Sequence, residues 1–124
     1  MTPTASESKQ LIRRYLQAIS GQAKTPGLVA GFVSDPTLQT HIKDVEAAFP
    51  AYEIVADDLI AEGDRVAMRG VFKGVQRGPF AGIAATGRSV SVPFMIVYRV
   101  RDGRIAEHWM QLDASALIGQ LQPA

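Results

Sequence analysis

The chain predicts an α+β fold in which three N-terminal helices pack on one face of a curved antiparallel sheet and a short helix closes the end. Three observations carry this reading. Between Thr4 and Phe49 apolar residues recur at helical spacing, in segments bounded by capping and stop signals. From Tyr52 to Asp113 they alternate at every second position, in two runs that each break at a glycine turn. After Asp113 the spacing returns to helical. Helices followed by strands segregate to one side of a sheet, and three short helices cannot fill its concave side, so a blind cavity is expected between the layers.

Thr4-Ala5-Ser6-Glu7 has the form of a capping box, and Leu11, Ile12, Tyr15, Leu16 and Ile19 form the apolar stripe of the helix it starts, which Gly21 ends. Tyr15 on that stripe is either a core residue or a hydrogen-bond donor to a ligand. Pro26 opens a second helix through Val33, with Leu28, Val29, Phe32 and Val33 turned inward. Ser34-Asp35-Pro36 caps and starts a third, whose stripe of Leu38, His41, Ile42, Val45, Ala48 and Phe49 aims His41 the same way as its aliphatic neighbours. A histidine there is either a core residue or part of a site. Pro50 stops this helix.

A strand from Tyr52 to Ile60, a turn around Gly63 and a strand from Arg65 to Gln76 make the first hairpin. Asp57 and Asp58 are read as surface charge, because adjacent strand positions point to opposite faces. The Gly-rich stretch from Arg77 to Arg88 lies between strands and lacks a Lys-Ser/Thr ending, so phosphate binding is not expected there. Arg88 to Ala114 is the second hairpin, turning at Asp102-Gly103, and Ser115 to Leu121 is the closing helix.

Ideal pairing about Asp102-Gly103 sets Tyr98 opposite Glu107, Ile96 opposite Trp109, Phe94 opposite Gln111 and Val92 opposite Asp113. An aromatic and aliphatic face with acids and an amide embedded in it is poor core but a suitable pocket floor. On this register His108, Met110 and Leu112 point the other way, and one bulge would exchange the two faces.

Composition narrows the function. The chain has 124 residues, 47% hydrophobic and 20% charged, the proportions of one domain (residues 1–124) with its own core. Its 13 basic and 12 acidic residues give a net charge of +1 without a basic run, which argues against nucleic acid or a membrane surface as partner. With no Cys and 2 His, thiol chemistry is excluded and a protein metal site is not expected. No apolar run approaches the roughly 20 residues of a membrane helix. The N-terminus lacks the pattern of a signal peptide, so a cytoplasmic location is expected by default.

Several stretches together resemble the SnoaL-like polyketide cyclases, of the cone-shaped nuclear transport factor 2-like fold. They are Ser34-Asp35-Pro36-Thr37-Leu38 with His41, Ala48-Phe49-Pro50 with Tyr52, Ile60 to Val66, Gly78 with Phe80 and Gly82-Ile83, Thr86-Gly87-Arg88, and Tyr98-Arg99 through Gly103-Arg104-Ile105 to Glu107-His108-Trp109, then Asp113. Gln76 stands where relatives often have His, and Pro79 where they have an acid. The resemblance implies a homo-oligomer without cofactor, holding a flat apolar polyketide-like ligand and closing a ring by intramolecular aldol chemistry. The acidic residue on the final strand that serves those cyclases as general acid/base matches Asp113.

On that reading a desolvated Asp113 has a raised pKa and exchanges a proton with substrate, with His108 in a secondary catalytic role if a bulge turns it inward. Gln111 and Tyr15 donate to an enolate oxygen, Trp109 and Phe94 stack on the ligand, and His41, Phe49 and Ile96 complete the wall. Asp113 alternatively caps the closing helix. Outside the sheet, Met95, Val97, Met110 and Leu112 are too apolar to stay wet, and a second copy of the chain is the expected cover, giving a homodimer. Two further readings stay open: a limonene-type epoxide hydrolase using Arg69 and Asp113, and a binding module without catalysis.

Overall fold

The computed structural model describes residues 2–122. Helix α1 (Ala5–Ile19) begins at the complete capping box: Glu7 N–H donates to Thr4 Oγ1 at 3.1 Å while Thr4 N–H donates to Glu7 Oε1 at 3.0 Å. Helix α2 (Pro26–Phe32) and helix α3 (Pro36–Ala48) both start with proline in the first turn, behind Thr25 and Asp35 as N-caps. Strands β1 (Glu53–Glu62), β2 (Arg65–Val75), β3 (Ser89–Arg101) and β4 (Arg104–Leu112) follow, then helix α4 (Ala114–Leu121). The strands form a curved open antiparallel sheet in sequential order, with α1 against β1 and β2, α2 against β4 and α4 against β3. This is the cone-type α+β arrangement that the order of periodicities predicts.

The β3–β4 hairpin turns at Asp102 and Gly103, both with positive φ (53° and 75°), the conformation of a type I′ turn. Its register then departs from ideal alternation. Val100 pairs with Ile105, but Arg99 pairs with Glu107, leaving Ala106 as an extra residue. From there on Tyr98 faces His108, Ile96 faces Met110 and Phe94 faces Leu112. The expected inward placement of Glu107, Trp109 and Gln111 is therefore corrected: all three lie on the outer face, and His108, Met110 and Leu112 turn inward.

Energetics favour this bulge. An unbulged strand would press the Glu107 carboxylate against Tyr98, which is 3% exposed, and an unpaired buried charge costs several kcal/mol. The bulged strand instead buries Met110 and Leu112, each worth about 1.5–3 kcal/mol when fully enclosed. It also frees Glu107 to accept from Arg99 at 3.2 Å, on the same guanidinium that reaches Asp64 at 3.1 Å.

A second irregularity, between Ala56 and Asp58 on β1, makes Asp57 the extra residue. Both acids consequently reach one side and meet Arg69, Asp58 at 2.7 Å and Asp57 at 3.5 Å, in an exposed cluster outside the sheet. Arg69 is thus no cavity residue, which removes the Asp-Arg-Asp set that epoxide hydrolysis would need.

The outer face is apolar along one row, where Ile60, Ala67, Val97 and Trp109 stand side by side across the strands. Ile60 is 70% exposed, Trp109 48% and nearby Met95 58%. Met110 and Leu112, expected here, are replaced by Trp109, over whose ring the Arg65 guanidinium lies at 5.6 Å. No helix among the described residues is long and apolar enough to cross a membrane.

Candidate active site

Between the helices and the inner face of the sheet lies a cavity of about 120 Å³. Ile19 of α1, Leu38, Ile42 and Val45 of α3, Phe72, Met110 and Leu112 of the sheet, and Leu117 of α4 give it apolar walls. An apolar cavity of roughly 150 Å³ holds a benzene ring, whereas sites for drug-sized molecules run to roughly 300–1,000 Å³. The space therefore suits one ring or a short chain.

Of the residues expected at the site, Tyr15, His41, Phe49, Phe94 and Ile96 line the cavity. Trp109 and Gln111 do not, because the bulge at Ala106 turns them outward. Asp113 is exposed, and its Oδ1 accepts from Ala116 N–H at 3.0 Å as the N-cap of α4. Its expected desolvation inside the pocket is corrected accordingly, since strand β4 ends before it and the helix start takes up its carboxylate.

His108 turns inward beside Tyr98, though it stands next to the cavity wall and not in it. Its Nδ1 lies 2.8 Å from Asp35 Oδ2, where the carboxylate can only accept, so Nδ1 carries the proton. The other Asp35 oxygen caps α3, accepting from Thr37 N–H at 2.9 Å and Leu38 N–H at 3.3 Å. Burial alone would raise the Asp35 pKa, but the hydrogen bonds from His108, Leu38 and Thr37 outweigh it and hold the carboxyl below its ordinary range. The capping role of Asp35 is readable from Ser-Asp-Pro; its grip on an imidazole 73 residues away is not.

His41 opens on two sides. It lines the cavity, and it also lines a surface groove with Pro36, Thr37, Thr40 and Asp44. Burial depresses its pKa below 6.5, the nearby His108 adds to the depression, and Asp44 partly opposes both. The imidazole is therefore unprotonated at neutral pH and able to accept a proton.

Tyr98, on the sheet face expected as the pocket floor, and Tyr52, which the sequence reading takes only as a strand start, join Tyr15 at the cavity. The Tyr15 and Tyr98 rings meet edge to face at 6.0 Å. Burial pushes all three hydroxyl pKa values up, and Tyr15 raises those of Tyr52 and Tyr98 further, so each remains an O–H donor.

The family model described as SnoaL-like polyketide cyclase matches residues 33–121. TsrD from Streptomyces laurentii is similar at 28% identity, over 94% of this chain and 95% of its own, with a TM-score of 0.76. AclR from Streptomyces galilaeus, described as a hydroxylase candidate, superposes with a TM-score of 0.80 at 24% identity over 95% of this chain and 82% of its own. A SnoaL-like polyketide cyclase from Agrobacterium tumefaciens does so at 0.74, with 21% identity over 93% of this chain and 98% of its own. No curated protein matches the chain.

Proposed function

This chain belongs to the SnoaL-like polyketide cyclase family, and from that premise we propose that it is a cyclase- or isomerase-type acid/base catalyst acting on a small hydrophobic carbonyl compound, with His41 as the proton-transferring group. One observation carries the reading: an imidazole held unprotonated by burial faces an apolar cavity on one side and a surface groove on the other. A base so placed can take a proton from a dry substrate and exchange it with solvent without opening the cavity.

The reaction that fits is intramolecular aldol closure. The free ring nitrogen of His41 removes a proton α to one carbonyl. The enolate carbon then attacks the second carbonyl carbon, forming the new C–C bond while the C=O electron pair becomes an alkoxide. His41 returns the proton to that alkoxide, so the product is an isomer of the substrate and no other reactant is consumed. Apolar walls exclude water, which strengthens every dipole aimed at the developing charge. His108, fixed by Asp35, acts as a positioning residue that sets the field at His41 and does not touch substrate.

Heptane-2,6-dione, an acyclic diketone whose aldol closure gives a six-membered ring, tests the proposal. In D₂O the protein should place deuterium at the α carbons and form the cyclic ketol, read by NMR, well above an equal concentration of free imidazole. Asp113→Asn, which preserves the helix cap, should proceed at the wild-type rate. Incorporation no faster than with imidazole would remove the catalytic reading.

The same reading includes a homodimer across the outer sheet face, supported by the apolar row through Ile60, Val97 and Trp109. Sedimentation should give twice the chain mass, reduced to one chain by Trp109→Glu; a wild-type monomer at micromolar concentration would eliminate it.

A further inference from the structure

The mechanism above leaves the three tyrosine hydroxyls without a task. Tyr15, Tyr52 and Tyr98 are 3%, 5% and 3% exposed and come from α1, the start of the sheet and β3. Their rings all border the cavity, and no hydrogen bond ties any of the hydroxyls to another group among the described residues. Yet no side-chain oxygen among those residues is both enclosed and unpartnered. Each hydroxyl therefore keeps some accessible surface, and the space that all three residues line is the cavity. Buried hydroxyls are ordinarily paired, so three converging without a protein partner mark a place for an acceptor from outside the chain.

The chemistry of that acceptor is narrow. All three hydroxyls stay protonated, so they donate. No lysine or arginine lines the cavity and His41 is neutral, so an anion would lose its hydration without gaining a counter-charge. The volume admits one ring or a short chain. We infer that the cavity takes an uncharged single-ring or short-chain ketone whose carbonyl oxygen accepts from the hydroxyls of Tyr15, Tyr52 and Tyr98.

This deepens the catalytic reading and rests on it for the step that follows binding. An enolate or alkoxide oxygen carries more negative charge than a ketone oxygen and accepts stronger hydrogen bonds. Three donors therefore match the charged intermediate better than the ground state, and interactions made only there accelerate the reaction. The size limit also sets the substrate apart from multi-ring compounds.

Cyclohexanone and methylenecyclohexane test the inference, because they share a shape and only the ketone can accept. Wild-type protein should bind cyclohexanone more tightly, and its C=O stretching band should move to lower frequency in the complex. Tyr15→Phe, Tyr52→Phe and Tyr98→Phe should each weaken cyclohexanone binding about fivefold while leaving methylenecyclohexane unchanged. Equal affinity of the wild type for the two compounds, or an unshifted band, overturns the inference, and the band needs no variant. Ketone binding with the shifted band but no α-deuteration would sink the catalytic reading alone. Turnover of heptane-2,6-dione by a protein whose Tyr→Phe variants bind cyclohexanone normally would sink the tyrosine assignment alone.

Discussion

Replacing His41 by alanine is expected to lower kcat for ring closure of heptane-2,6-dione by about 10²–10⁴-fold, the span of a positioned general acid/base. KM should change little, because the apolar walls that enclose the ligand remain. His108→Gln gives a sharper readout. His108 helps to depress the His41 pKa, so its removal should move the acid inflection of the kcat/KM profile to higher pH, with the plateau rate largely kept. An unmoved inflection would detach His108 from the site. Folding is linked to the same proton. Between pH 6.5 and the lower folded value, the unfolded chain holds a proton on His41 that the folded chain does not, so stability falls as pH drops through that window. His41→Gln should abolish that slope. The contribution of Asp35 should persist: its depressed folded pKa stabilises above its unfolded value, near 3.8, and this is lost only as pH falls further through the folded one. Urea melts across the pH range separate the two.

Gln76→Ala is expected to be the most damaging truncation outside the cavity. Gln76 is 0% exposed and organises the connection between β2 and β3. Its Nε2 donates to Gly78 O at 3.1 Å and Ile83 O at 3.0 Å, while its Oε1 accepts from Thr86 N–H at 3.1 Å and Thr86 Oγ1 at 2.7 Å. Alanine would remove four part-buried hydrogen bonds at about 0.5–1.5 kcal/mol each. With partial relaxation the total should be about 3–5 kcal/mol, a large share of the 5–15 kcal/mol typical of a whole domain, and Tm should fall by more than about 10 °C. The same loop rests on the end of α3 through Arg77 N–H and Gly78 N–H, which both donate to Ala48 O, at 2.8 and 3.2 Å. A Cβ at Gly78 would clash with the Ala47 carbonyl oxygen, so the loop tolerates no side chain there. Phe80 on this loop packs against Phe49 at 5.4 Å and walls the cavity. Ligand affinity should therefore fall with stability, and a Tm change under about 3 °C would refute the role assigned to Gln76.

Local signals made the architecture legible. The Thr4–Glu7 box, the prolines at Pro26 and Pro36, and the Asp102-Gly103 turn act within a few residues, and each appears where its chemistry demands. The cavity walls from helices were legible too, because a stripe such as Leu38, His41 and Val45 has one possible direction. Strand β4 was the exception. Ile105 and the pair Met110 and Leu112 differ in parity, yet all face inward, and only an inserted residue reconciles them. That conflict of parity is a signal in the sequence, but Ala106 carries no preference that locates the bulge. Asp57 hides the same ambiguity on β1. Asp35 and His108 meet through tertiary packing alone, which no local pattern encodes.

A single carboxylate begins α3 with one oxygen and steadies the His108 ring with the other. Helix and imidazole are consequently coupled like two arms of one lever: a guest bulky enough to pry α3 from the sheet would also loosen the ring that tunes His41. If His41 transfers the proton as proposed, oversized molecules would disarm it by the very act of entering, and selectivity by bulk would need no separate gate.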